Sequence, residues 1–134
     1  MSSSPNAATG GPRYGRVLVG TDGSLTADKA VDRAVDVARA HHARLTVLSA
    51  GRRAEDVLRG EAARLAEAGV EVTLRPVAGD PAQALIAEAH EGGYDLLVVG
   101  NLGLSGFRRL NPLGSVPGKV SHHLPCSLLV VKTT

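Results

Sequence analysis

Aromatic side chains are almost missing, with no tryptophan, two tyrosines and one phenylalanine, at Tyr14, Tyr94 and Phe107. Single-strand nucleic-acid binders stack bases on aromatic rings, and this chain has no such platform. Any planar ligand must rest mainly on aliphatic side chains. Cysteine is reduced to Cys126, which excludes an internal disulfide, and no Cys/His spacing of the zinc-site kind occurs. Cys126 reads as a small residue packed beside the last strand. Nowhere do the roughly 18 consecutive apolar residues of a membrane span occur, and the opening stretch has no apolar run of signal-peptide type. No membrane partner is expected, and the chain reads as soluble and cytoplasmic. An excess of one charge is lacking too: 15 Lys and Arg against 13 Asp and Glu leave a net charge of +2. The basic residues are scattered rather than striped, so nucleic acid is not an expected partner.

What is present is alternation of apolar runs. The start, "MSSSPNAATGGPR", is small, polar and rich in Gly and Pro, so residues 1–14 are expected to be a disordered tail and 15–134 one domain. "RVLVG" at Arg16 to Gly20 is a β-branched run that meets the turn cluster "TDGS", a strand followed by a loop. From Ala27 the apolar residues Ala30, Val31, Ala34, Val35 and Ala38 fall on one side of a helix. A second strand spans Arg44 to Ala50. Val57, Leu58, Ala62, Leu65 and Ala66 repeat the helical spacing, with Gly69 as the stop. "VEVTLRPV" alternates apolar and polar residues, as a half-exposed strand does. Asp80 and Pro81 suit an N-cap and first-turn proline, and Gly92 and Gly93 end that third helix. Asp95 to Val99 reads as strand four, Ser115 to about His123 as a short fourth helix, and Ser127 to Lys132 as the last strand.

Strands alternating with helices require crossovers, and crossovers between parallel strands are right-handed. The expected class is therefore α/β, a doubly wound five-stranded parallel sheet with helices on both faces. "RVLVG" and "DLLVVG" are apolar on both faces and belong in the centre, while the alternating third strand belongs at an edge. Strand order 3-2-1-4-5 follows. Winding reverses between strands one and four, and open α/β sheets bind ligands in the crevice outside the carboxyl ends at that point. The loops after those two strands face each other across it: "GTDGS" and a loop with Gly100, Gly103, Gly106 and Gly114.

So much glycine points to positive-φ turns or to a ligand pressed against bare main chain. In "LGSVP" a glycine precedes a serine-capped helix start, where unpaired N–H groups and the helix dipole attract anions. Gly114, the Ser115 hydroxyl and the Ser115 and Val116 amides would face a phosphate there. A plain helix cap at Ser115 explains the same residues equally well. No P-loop is present, and the dinucleotide-binding glycine pattern does not follow strand one.

The spacing Gly100-Asn-Leu-Gly103, then Gly114-Ser115, resembles that of nucleotide-binding members of the universal stress protein family. "VLVGTDGS", "VAGDPAQALI" and "GSVPGKVSHHLPCSLLVVK" extend the likeness along the folded chain. What the resemblance implies is a dimeric stress-response or signalling protein that binds an adenine nucleotide, ATP or cyclic AMP. By position it implies that Thr21 and Asp22 lie by the ribose and phosphates, Ser49 and Ala50 border the adenine, and Val99 packs nearby. Gly100 and Gly103 would pass along the ribose and phosphates, and Gly114, Ser115 and Val116 would hold the phosphate chain. Two departures stand out. Residues 104 to 113 make the second glycine interval ten residues long, slightly more than is usual in the family, with Pro112 stiffening it. The connection "GRRAE" after strand two is short where many members have a longer excursion. Those departures motivate an alternative function, a non-nucleotide-binding dimeric interaction scaffold of the same fold.

Asp22 is also the one metal candidate, since a carboxylate beside phosphate oxygens suits Mg²⁺. Capping the turn before helix one is its other role. Arg108 and Arg109 read as solvated loop residues. His122 and His123 sit where positive charge suits a helix end, with no nucleophile beside them in sequence. Lys132 lacks the clustered acids of a phosphoacceptor site. No enzymatic activity is expected, because slow ATP hydrolysis would have Asp22 as its sole candidate group. Finally, "SLLVV" is apolar on both faces though placed at an edge, and a bare apolar edge invites a partner strand. Homodimerisation through Ser127 to Val131 is the expectation, which the family resemblance also implies.

Overall fold

The computed structural model describes residues 13–102 and 124–133. Within them the chain runs β1 (Arg16–Gly20), α1 (Leu25–His41), β2 (Arg44–Ala50), α2 (Ala54–Arg64), β3 (Val72–Val77), α3 (Pro81–Gly92), β4 (Leu96–Gly100) and β5 (Ser127–Val131). All neighbouring strands are parallel, in the order β3-β2-β1-β4-β5. The order is the one that the apolar patterning of β1 and β4 requires.

Alternation along each strand divides the core between the two faces of the sheet. Val17 and Val19 of β1, Leu45 and Val47 of β2 and Leu96 and Val98 of β4 pack under α1 and α2. Leu18, Leu48, Leu97 and Val99 point the other way, onto Ala82, Leu85, Ile86 and Ala89 of α3. Truncating one of the fully buried leucines, such as Leu97, to alanine costs about 2–5 kcal/mol by cavity formation. At the β3 edge the side chains alternate between half-buried Val72 and Leu74 and exposed Thr73 and Arg75. Pro76, which has no N–H to give, is tolerated there because one side of an edge strand needs no partner. Arg75 donates to Glu88 Oε1 at 2.9 Å and Tyr94 donates to Glu88 Oε2 at 2.9 Å, so a nearly buried carboxylate ties β3 to α3.

Element ends follow their local chemistry. Ser24 caps α1 by accepting from the Ala27 N–H at 3.1 Å, which starts the helix two residues before Ala27. Asp80 accepts from Gln83 N at 3.0 Å with Pro81 in the first turn, and Gly93 closes α3 at φ 69°. The second helix is shorter than its periodicity suggests: it stops at Arg64, Leu65 is its C-cap, and Gly69 lies beyond in a turn at φ 80°. Ala66 is therefore outside the helix. The expected fourth helix from Ser115 to His123 lies outside the described residues.

Candidate functional site

A cleft of about 530 Å³ opens at the carboxyl ends of β1, β2 and β4, where winding reverses. Its volume is in the range of small-ligand pockets, roughly 300–1,000 Å³. One wall is the turn after β1. Thr21 N donates to Leu48 O at 2.9 Å, carrying the β1–β2 ladder one residue past the strand. Thr21 Oγ1 then accepts from Gly23 N at 3.0 Å, and Asp22 Oδ1 accepts from Ser24 N at 2.9 Å. Such side-chain-to-backbone bonds fold Thr-Asp-Gly-Ser into a tight turn without help from elsewhere. Gly23 is needed there twice over. Its φ is +83°, and a Cβ on it would sit 3.2 Å from Val57 Cγ2 of α2. Hydrogen bonding from Ser24 holds the Asp22 carboxyl below its ordinary 3.8 against the opposing effect of partial burial, so it is a carboxylate at neutral pH.

The opposite wall is the end of β4. Gly100 leaves room for Thr133, whose Cγ2 would be 3.3 Å from a Cβ at that position. Asn101 Oδ1 accepts from Thr133 N at 2.8 Å and from Thr133 Oγ1 at 2.9 Å, and Lys29 Nζ of α1 donates to Thr133 O at 3.2 Å. The residue following β5 by two is thereby fixed at the cleft. The floor is aliphatic, made by Leu48, Ala50, Leu85 and Val99, and the N-terminus of α3 contributes Asp80 and Pro81 to the rim. Among the described lining residues there are two carboxylates, Asp22 and Asp80, and no Lys or Arg.

Of the residues singled out in the sequence, Thr21, Asp22, Ala50, Val99 and Gly100 line this one cleft. Ser49 does not: it is 2% exposed and alternates to the sheet face opposite Leu48 and Ala50. Gly103, Gly114, Ser115 and Val116 lie outside the described residues. Sequence reasoning missed Leu85, Thr133 and the rim role of Asp80. The last was legible in principle, because every helix in a doubly wound sheet starts at the same edge as the ligand crevice.

Comparison with known proteins gives the same frame. The model of the universal stress protein family matches residues 13–56 and 49–132, and its two segments meet at the connection between β2 and α2. The universal stress protein Rv1636 of Mycobacterium tuberculosis strain H37Rv is 40% identical over 146 aligned residues, covering 90% of this chain and 98% of its own. That alignment is longer than this chain of 134 residues, so the relative has residues that the chain lacks. YxiE, a universal stress protein of Bacillus subtilis, is 32% identical, covering 89% of this chain and 99% of its own. A crystal structure of a universal stress protein in complex with cAMP superposes with a TM-score of 0.72 at 42% identity, covering 92% of this chain and all of the other. A universal stress protein family member from Arabidopsis thaliana with AMP bound shares the fold at a TM-score of 0.70 and 17% identity, covering 90% of this chain and 92% of its own. On these matches, and on a sheet order that the solved relatives share, the chain belongs to the universal stress protein family.

Proposed function

We propose that this chain binds an adenine nucleotide, ATP or cyclic AMP, in the switch-point cleft and acts as a cytoplasmic homodimer in stress response or signalling rather than as an enzyme. The observation that carries the reading is the convergence of an ionised Asp22 and an aliphatic floor on one cleft beside glycine-lined main chain. In this reading the base rests on Leu48, Ala50, Leu85 and Val99, which offer it an aliphatic shelf in a protein poor in aromatics. Asp22 accepts from ribose hydroxyls, with Thr21 beside it. Gly100 and Gly103 pass along the sugar, and Gly114, Ser115 and Val116 hold the phosphates by backbone N–H groups. The similarity to a universal stress protein solved with cAMP supports a cyclic nucleotide as one ligand.

A divalent cation fits the donor set. Asp22 would supply one anionic oxygen to Mg²⁺, a hard cation that would otherwise be held by phosphate oxygens and water. When bound, Mg²⁺ neutralises phosphate charge next to a lining that among the described residues holds carboxylates only. Dimerisation through Ser127 to Val131 is supported by β5 standing at the sheet edge with Leu128 and Leu129 half-buried and Val130 39% exposed. No described helix is long and apolar enough to cross a membrane.

Thermal unfolding with millimolar nucleotide tests the binding reading, because a ligand that binds only the folded state raises the midpoint by mass action. ATP with Mg²⁺ or cyclic AMP raises the midpoint, and a chain with no response to either is the non-binding scaffold instead.

A further inference from the structure

Behind the Thr21–Ser24 turn, on the face of the sheet away from the cleft floor, α1 and α2 are bridged by one guanidinium. Arg64 Nη1 donates to Asp32 Oδ1 at 2.6 Å, and Nη2 donates to Glu61 Oε1 at 2.8 Å. The same Nη2 stands 3.4 Å from Asp28 Oδ1. Three carboxylates thus surround one base. The Glu61 side chain is only 5% exposed, and glutamates are almost never so buried unless paired. Asp28 Oδ1 is buried and, in an all-ionised cluster, accepts no hydrogen bond. A buried acceptor without a donor keeps the cost of its lost hydration. One proton removes both difficulties: a protonated Glu61 donates to Asp28, and the guanidinium then faces two carboxylates instead of three.

We propose that the buried Glu61 is held protonated and donates to Asp28, and that this proton clamps α2 to α1 behind the Asp22 turn. Burial pushes the Glu61 carboxyl above its ordinary 4.5, the Arg64 hydrogen bond pulls it down, and Asp28 pushes it up again. The other charged groups around the junction are Asp32 on α1, Arg53 just before α2, Asp56 and Arg64 on α2, and Asp22 on the turn. Several of them, with Asp28 and Glu61, line a cavity of about 510 Å³. Asp56 is held by Arg59 at 2.8 Å, whereas Asp28 Oδ1 and Glu61 Oε1 meet at the same Arg64 Nη2, at 3.4 and 2.8 Å.

The clamp has a mechanical connection to the ligand cleft. Val57 of α2 packs against Gly23, and Asp22 lines both cavities. Because the folded-state value of Glu61 is raised, the stability it contributes is whole below 4.5 and is lost as pH rises through the folded value. The junction is tight in acid and loosens as the proton leaves.

Carboxyl carbon NMR of the full chain, titrated without nucleotide, reads the pair directly. Glu61 Cδ is expected to titrate above 4.5. A Glu61 midpoint at or below that value overturns the proposal. Glu61→Gln mimics the protonated acid, so its urea midpoint should lack the fall that wild type shows across the step, while Asp56→Asn keeps it. An unchanged fall in Glu61→Gln overturns the proposal as well. If that variant does not fold, amide exchange of Ala54 to Arg64 in the wild type decides: faster exchange above the step supports the clamp, and equal exchange on both sides excludes it.

Discussion

Gly20 and Leu85 stand so close that a Cβ built on Gly20 would lie 2.6 Å from Leu85 Cδ1. The glycine at the end of β1 is there to admit a leucine of α3, and the pair forms the junction between cleft floor and core. Gly20→Ala is expected to cost about 1–3 kcal/mol, as overpacking does, and to weaken nucleotide binding by pushing Leu85 into the cleft. Adding Leu85→Ala should restore part of the stability lost through the clash. Urea unfolding of the two single variants and the double measures the coupling; strictly additive effects would show that the two residues do not meet.

Asp22 has two roles that one pair of substitutions separates. Asn keeps an oxygen that accepts from Ser24 N, so Asp22→Asn should fold with a stability close to wild type and lose Mg²⁺-dependent ATP binding. Ala removes the acceptor and should cost about 1 kcal/mol besides. The carboxyl is held below 3.8, so whatever its charge contributes is present above that value and lost as pH falls through the folded value. Chemical denaturation at neutral and strongly acidic pH checks the sign.

Much of this architecture is legible in the sequence, and the reasons are local. "RVLVG" and "DLLVVG" are apolar on both faces, which only a central strand can bury, so strand order and the position of the crevice follow from composition. Ser24, Asp80 and Gly93 cap where their side chains or lack of one require. Even Ser49 is separated from the cleft by simple alternation in "RLTVLSA", which turns Leu48 and Ala50 one way and Ser49 the other. Thr133 was not legible, because it reaches the cleft through Asn101, 32 residues away in sequence. The Asp28–Glu61 pair is hidden for the same reason: helical periodicity marks Asp28 as a polar residue of the first turn of α1, and only the packing of α2 buries Glu61 against it. The end of α2 misled in the other direction, since Leu65 and Ala66 continue the apolar period beyond the last helical turn.

Charge in the cleft predicts how ligands rank. With two carboxylates in the described lining and no cationic side chain, ATP should depend strongly on Mg²⁺, and cyclic AMP, with a single phosphate charge, should depend on it little. Affinities measured with Mg²⁺ and with a chelator check this. Equal dependence for both ligands would mean that Asp22 and Asp80 do not sense the phosphates.

Val130, 39% exposed on the edge strand, is the position at which a charge should divide a β5-paired dimer without disturbing the core. Val130→Lys is expected to shift the mass seen by analytical ultracentrifugation from dimer to monomer, with a change in unfolding free energy of the monomer within about 0.5 kcal/mol. A wild-type monomer, or a dimer indifferent to that lysine, places the partner surface elsewhere.

Calorimetric titration of the wild-type chain with cyclic AMP and with Mg²⁺-ATP reaches the central claim most directly. Saturable heat for at least one of them at one site per chain, with affinity weakened when Gly20→Ala drives Leu85 into the cleft, is the predicted result. No heat from either at millimolar concentration, or full binding by the Gly20→Ala chain, would contradict it.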